Sequence, residues 1–172
     1  MSILGLVHEE SGQSLFIKYK AQARVWAEKD EFDMAKCAIV CDMDSVKTGW
    51  VCWPEAGGAP EKVWAETLGQ KVASPGKDFK MAFTCEFSLN GERKIWESAQ
   101  TGALMGFDAL YDAMSAARDG DKLAELKWEG AEPKTVGKGT TSIPKWSIVG
   151  WVERPLELAR EEDMNSSAAA SW

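Results

Sequence analysis

Residues 15–27 alternate without a break. Leu15, Ile17, Tyr19, Ala21, Ala23, Val25 and Ala27 fall on one face, and Phe16, Lys18, Lys20, Gln22, Arg24 and Trp26 on the other. A period of two belongs to a β-strand, so the segment predicts one long strand with a single buried face. The opposite face carries three cations bracketed by two aromatics. The same period returns at 79–89. Phe79, Met81, Phe83, Cys85, Phe87 and Leu89 are expected inward, and Lys80, Thr84, Glu86 and Ser88 outward. Asn90-Gly91 follows, a strong signal for a type I′ hairpin, and 92–98 reads as a short returning strand.

The other segments are shorter. Residues 37–43 and 46–53 read as one strand broken near Asp44, or as two short ones, with Gly49 marking a bulge or bend. Residues 54–78 hold three prolines and several glycines and form a long connection, with Trp64 in its middle. The period changes at 99–119. Ala103, Phe107, Leu110, Met114 and Ala117 lie on one helical face, with Thr101 or Ser98 as cap and Gly120 as stop. Residues 123–128 and 146–152 are strand-like, and 129–145 reads as a Gly/Pro/Lys loop.

Three strands, a helix and two strands is the wiring of a five-stranded OB-fold, a small Greek-key barrel with one helix between strands 3 and 4. That mainly β fold is the expectation, with the 90–98 hairpin as an embellishment; an α+β fold of mixed topology is the alternative. The length of 172 residues fits one domain. The expected division is an N-terminal arm at 1–13, the barrel at 14–155 and an acidic, flexible tail at 156–172. The apolar runs are too short for a membrane helix, and MSILGLVHEESG lacks the basic start and apolar core of a signal peptide. A cytoplasmic protein is expected.

Little in the sequence suggests catalysis. Cys37, Cys41, Cys52 and Cys85 lack the doubled short spacing of zinc sites and read as small core residues, reduced in the cytoplasm. His8 is the single histidine and stands without an obvious nucleophile. Asp42 and Asp44 share a strand face, but Asp42–Ser45 reads better as a turn than as a cation site. Gly137-Lys138-Gly139-Thr140-Thr141 lacks the full phosphate-loop spacing. A non-enzymatic protein without metal or cofactor is expected.

Nine tryptophans against two tyrosines need an explanation. An OB barrel presents one face and two loops to oligonucleotides. The reading places Lys18, Lys20, Arg24, Trp26, Trp64, Lys80, Lys138, Lys145 and Trp146 there. Rings stack on bases and cations track phosphates, which is what single-stranded nucleic acid requires. Against this, tryptophans more often build cores, and the net charge is −7. The tail eases that objection. Residues 153–172 carry −3, leaving −4 on the rest, and such a tail can serve as a handle for partner proteins.

With these residues in view, the chain resembles phage-type single-stranded DNA-binding proteins. The resemblance rests on FIKYKAQARVWAE (16–28), VKTGWVCWP (46–54), SPGKDFKMAFTCEFSL (74–89), GFDALYDAM (106–114) and IPKWSIVGWVERP (143–155). It implies an OB-fold that coats single-stranded DNA in replication, recombination and repair, in the host cytoplasm if phage-encoded. It also implies recruitment of replication or recombination proteins through an acidic C-terminus ending in an aromatic. Glu161, Glu162, Asp163 and Trp172 match that pattern, although NSSAAAS separates the acids from the tryptophan. The rival reading is a structural or adaptor protein whose tryptophans form a protein interface.

Overall fold

The computed structural model describes residues 15–54, 57–68 and 70–159. His8 and the tail residues Glu161, Glu162, Asp163 and Trp172 lie outside them. The strands are β1 (Phe16–Lys20), β2 (Val25–Ala27), β3 (Glu31–Phe32), β4 (Ile39–Cys52), β5 (Glu61–Trp64), β6 (Lys80–Leu89) and β7 (Glu92–Ser98). Helix α1 (Thr101–Ala117) follows, then β8 (Leu123–Val136) and β9 (Gly139–Val152). They form one curled, open sheet of nine strands in the order β3-β2-β1-β7-β6-β4-β8-β9, with β5 paired to β4. The chain is mainly β with one long helix, as expected, but has nine strands rather than five.

The structure departs from the expectation at four places. The expected strand 15–27 reverses at 21–24, because Arg24 adopts a left-handed conformation (φ 57°) and its N–H donates to Lys20 O at 2.7 Å. No glycine or proline marks that turn. The 54–78 connection contains β5, which lies so close to β4 that a Cβ on Gly49 would meet Val63 O at 2.0 Å. Gly49 therefore marks a close approach. Finally, 129–145 is no loop. It is the outer part of a β8–β9 hairpin paired from Leu123↔Val152 to Val136↔Gly139. Strand β7 is likewise no embellishment, since it lies between β6 and β1, parallel to β1.

Other expectations match. Asn90 and Gly91 both have positive φ, 53° and 84°, as a type I′ turn requires. Strand β4 is continuous but bulged between Asp42 and Lys47. Ser45 bridges the interrupted ladder: its hydroxyl donates to Asp42 O (2.7 Å) and accepts from Glu86 N–H (2.7 Å). Arg154 clasps the bulge, reaching Asp42 at 2.5 Å and Asp44 at 2.9 Å, while Arg118 grips both oxygens of Asp44 at 2.8 and 2.7 Å. The Asp44 carboxylate accordingly raises the Arg118 pKa. Packed structure continues past the expected boundary at 155, for Leu158 is buried and Ser88 donates to Glu157 at 2.7 Å.

The core is aromatic, and Trp26 is its hub. Its ring centroid lies 4.8 Å from Trp96, 5.1 Å from Tyr19, 5.5 Å from Trp146 and 5.6 Å from Trp128. These contacts join the β1–β2 end of the sheet to the β8–β9 end. A polar seam lies beside them. Tyr19 O–H donates to Ser142 Oγ, which donates to Ala21 O (2.6 Å), and Gln22 Nε2 donates to Thr140 O (2.8 Å). Burial raises the Tyr19 pKa and keeps the phenol protonated for that role. Helix α1 packs Phe107 flat on Phe83, with centroids 4.2 Å apart, and buries Ala103, Leu110 and Met114. Gly102 lets it lie flush on β9, where a Cβ would sit 2.1 Å from Ser142 O.

Two outcomes are expected in denaturant titrations. Trp26→Ala destabilises by about 3–5 kcal/mol, the usual cost of emptying a large core site. Trp26→Phe costs far less, because it keeps a ring in the site and the buried Nε1 it removes has no hydrogen-bond partner among the described residues. Gly102→Ala gains about 1 kcal/mol of helix propensity. Displacing backbone costs about 1–3 kcal/mol, so the net effect is a loss.

Candidate nucleic-acid interface

The alternation of β1 turns Ile17 and Tyr19 inward and leaves Phe16, Lys18 and Lys20 outside. Beside them lie the start of β6, the end of β7 and the first turn of α1. Together these make a groove of two adjoining hollows. The first, about 830 Å³, is lined by Phe16, Lys18, Trp53, Lys80 and Met81, among others. The second, about 620 Å³, runs from Lys18 and Lys20 to Val136 and Gly139 at the tip of the β8–β9 hairpin. Lys18, Gln100 and Thr101 line both.

The first hollow is built for flat apolar groups. Trp53 is 53% exposed, Phe16 46% and Met81 57%. Trp53 is the exposed tryptophan among those described; the others are buried or half-buried. It follows the last residue of β4 and precedes Pro54, which cannot donate to a sheet ladder. The long connection beyond it is tied back by Trp50 Nε1–H donating to Val72 O at 2.8 Å.

The electrostatics favour an anion. Lys18 and Lys80 are exposed and form no ion pair with a described residue. Gln100 caps α1 with its backbone only, and the first turn holds no acid. The positive end of the helix dipole therefore faces the groove uncompensated. One carboxylate, Glu97, lies in the lining, and Lys62 neutralises it at 2.6 Å while sitting 5.6 Å from the Phe16 ring centroid.

The groove gathers part of the expected set. Lys18, Lys20 and Lys80 line it, although Lys20 also approaches Glu31 at 3.7 Å. Lys138 is exposed in the hairpin turn between β8 and β9. Arg24 is exposed but lines a separate hollow beside Phe32 and Trp128. Lys145 points to solvent and pairs with Glu132 at 3.3 Å. Trp64 is half-buried on β5. One assignment is corrected. Trp26 is 1% exposed, because the Ala21–Arg24 reversal carries it into the core. Trp146 is half-buried and packs against Trp128 (4.9 Å), Trp26, Trp96 and Phe87. Met81, expected inward, is exposed near the start of β6. Phe16, Trp53 and Gln100 went unassigned. Phe16 was legible as an outward aromatic on the cationic face; Trp53 carried only the hint of Pro54 after a strand.

Compared with known proteins, the chain matches no family model, no curated protein and no solved structure. Among the described residues no three His, Cys, Asp or Glu side chains converge as a metal site, and no helix is long and apolar enough to cross a membrane. The Cys41 and Cys85 thiols lie 3.7 Å apart on adjacent strands, both buried. Burial, foremost, pushes the Cys41 pKa well up, which suppresses the reactive thiolate at neutral pH. In the native protein a thiol reagent is expected to modify the half-buried Cys52 and Cys37 first. Cys41 and Cys85 are expected to react only on unfolding, as peptide mapping after timed labelling would register.

Proposed function

We propose that the chain binds single-stranded DNA, without catalysis, in the groove between β1, the β6–β7 edge and the β8–β9 hairpin. The observation that carries this reading is the placement of the exposed tryptophan, Trp53, with Phe16, Lys18 and Lys80 around one hollow. Bases would stack on Trp53 and Phe16, and Lys18, Lys20 and Lys80 would meet phosphates. Lys138 and the helix dipole would extend the positive path toward the hairpin tip.

The wiring supports the same reading. Strands β7-β6-β4-β8-β9 are neighbours in that order, with α1 between β7 and β8. That order is compatible with OB wiring, in which β4 would be the long first strand in place of the expected 15–27 and β1–β3 would occupy the gap between the third and fifth strands. In such barrels the second and third strands and the loops after the first and fourth strands hold oligonucleotides. On this reading those would be β6, β7, the connection bearing Trp53 and the hairpin tip at Lys138, which border the groove. Coating of DNA in replication, recombination or repair, a phage origin and recruitment through Glu161, Glu162, Asp163 and Trp172 extend the proposal.

Fluorescence titration with a thymidine oligomer at several salt concentrations tests it. Affinity should fall with salt by a log–log slope of about −2, given about 0.7 per neutralised phosphate and the three groove lysines. Lys80→Ala should flatten that slope by about 0.7. Trp53→Ala and Phe16→Ala should each weaken binding by about 1–3 kcal/mol, roughly fivefold to 150-fold, and Trp26→Phe should not. Absence of binding at low salt would overturn the proposal and leave the exposed aromatics to a protein interface.

A further inference from the structure

We infer that the Lys62–Glu97 pair fixes the Phe16 ring as a platform for a base and takes no phosphate itself, an inference that rests on the single-strand reading above. Phe16 on β1 lies opposite Ile95 of β7, and Glu97, two residues on, leaves β7 from the same face. Lys62 reaches them from β5. Its Nζ lies 2.6 Å from Glu97 Oε2 and 5.6 Å from the Phe16 ring centroid. Phe16 and Glu97 line the first hollow and Lys62 does not, so the ammonium meets the ring from outside the space that a base would enter.

An acid in this place calls for a reason. Glu97 is the one carboxylate among the described residues lining the two hollows, and left unpaired it would repel a phosphate. Paired, it loses that effect and anchors a long side chain that otherwise samples many rotamers. With 15% and 29% of their side-chain surfaces exposed, Glu97 and Lys62 are partly shielded, so their attraction is less screened than at the open surface. The anchored ammonium then holds the ring by cation–π attraction, which acts within about 6 Å. This matters because Phe16 is exposed. An exposed ring gives up rotamer freedom when a base stacks on it, whereas a ring held beforehand has already done so. Lys18 and Lys80 form no ion pair with a described residue and keep their charge for phosphates.

A mutant cycle read by titration with the thymidine oligomer tests this. Lys62→Met combined with Glu97→Gln keeps the side-chain shapes and removes both charges, so the net charge of the groove is unchanged. The double variant should bind about two- to tenfold more weakly than wild type, with the same salt slope. In a Phe16→Ala background the same two substitutions should cost nothing further, because the ring through which they act is gone. Glu97→Gln alone should steepen the slope by about 0.7, since the released ammonium becomes a further phosphate cation. Thermal unfolding reports the fold of each variant. A slope flattened by about 0.7 in the double variant would overturn the inference by making Lys62 a phosphate contact. Equal losses with and without the Phe16 ring would overturn it too, by assigning the pair to the seating of β5 alone. So would unchanged affinity in the double variant, or an unchanged slope in Glu97→Gln. Failure of the wild type to bind the oligomer at low salt would instead overturn the single-strand reading, and the role of the pair with it.

Discussion

The contact between Trp26 and the pair Trp128–Trp146 is the constraint on which this molecule depends. An open sheet of nine strands leaves two edges and one apolar face to be covered. Here the sheet curls until its β1–β2 end meets its β8–β9 end, and the meeting is made by side chains rather than by a backbone ladder. Four tryptophans, with Tyr19 and Phe87, fill the interior at centroid separations of 4.8 to 6.2 Å. Large rings suit this task, because each spans the distance between curled strands that aliphatic chains would leave as a void. The Tyr19–Ser142–Ala21 chain of hydrogen bonds then gives the closure a defined register.

The groove follows from that closure. Once β1 is held beside β9 and paired with β7, its outward residues Phe16, Lys18 and Lys20 come to stand next to Lys80 and the first turn of α1. The helix can lie there only because Gly102 and Gly106 allow its backbone to touch Ser142 and Pro144. On the far side, Arg154 and Arg118 neutralise the two carboxylates of the β4 bulge, and one of these, Asp42, is 1% exposed. A buried carboxylate without that guanidinium would be costly, so the bend in β4 and the chain leaving β9 are held as one unit.

Much of the secondary structure was legible because face burial is a local property of a strand. The alternation of 16–21, the Asn90-Gly91 turn, the break near Asp44 and the period of α1 all appear where the residues indicate, although Leu15, expected inward, is exposed. The failures share a cause. Arg24 makes a left-handed turn that usually calls for glycine or asparagine, so nothing announced the reversal that redirects Trp26. The glycines and prolines of 129–145 resemble a loop. They are tolerated because the outer hairpin pairs with no third strand, so a missing N–H on that side leaves no ladder bond unmade.

The residues alone determined that this chain would be a mainly β domain with one helix and that β1 would present cations outward. Each follows from periodicity, which side chains carry whatever their distant neighbours are. Which tryptophan would be left for a ligand was decided only by the fold. Trp26, Trp146 and Trp53 have the same ring and similar flanking strands. Their exposure depends on whether a strand some hundred residues away lies across them, as Trp128 lies across Trp26. Burial of a single ring is a property of long-range contacts, and no local pattern encodes it.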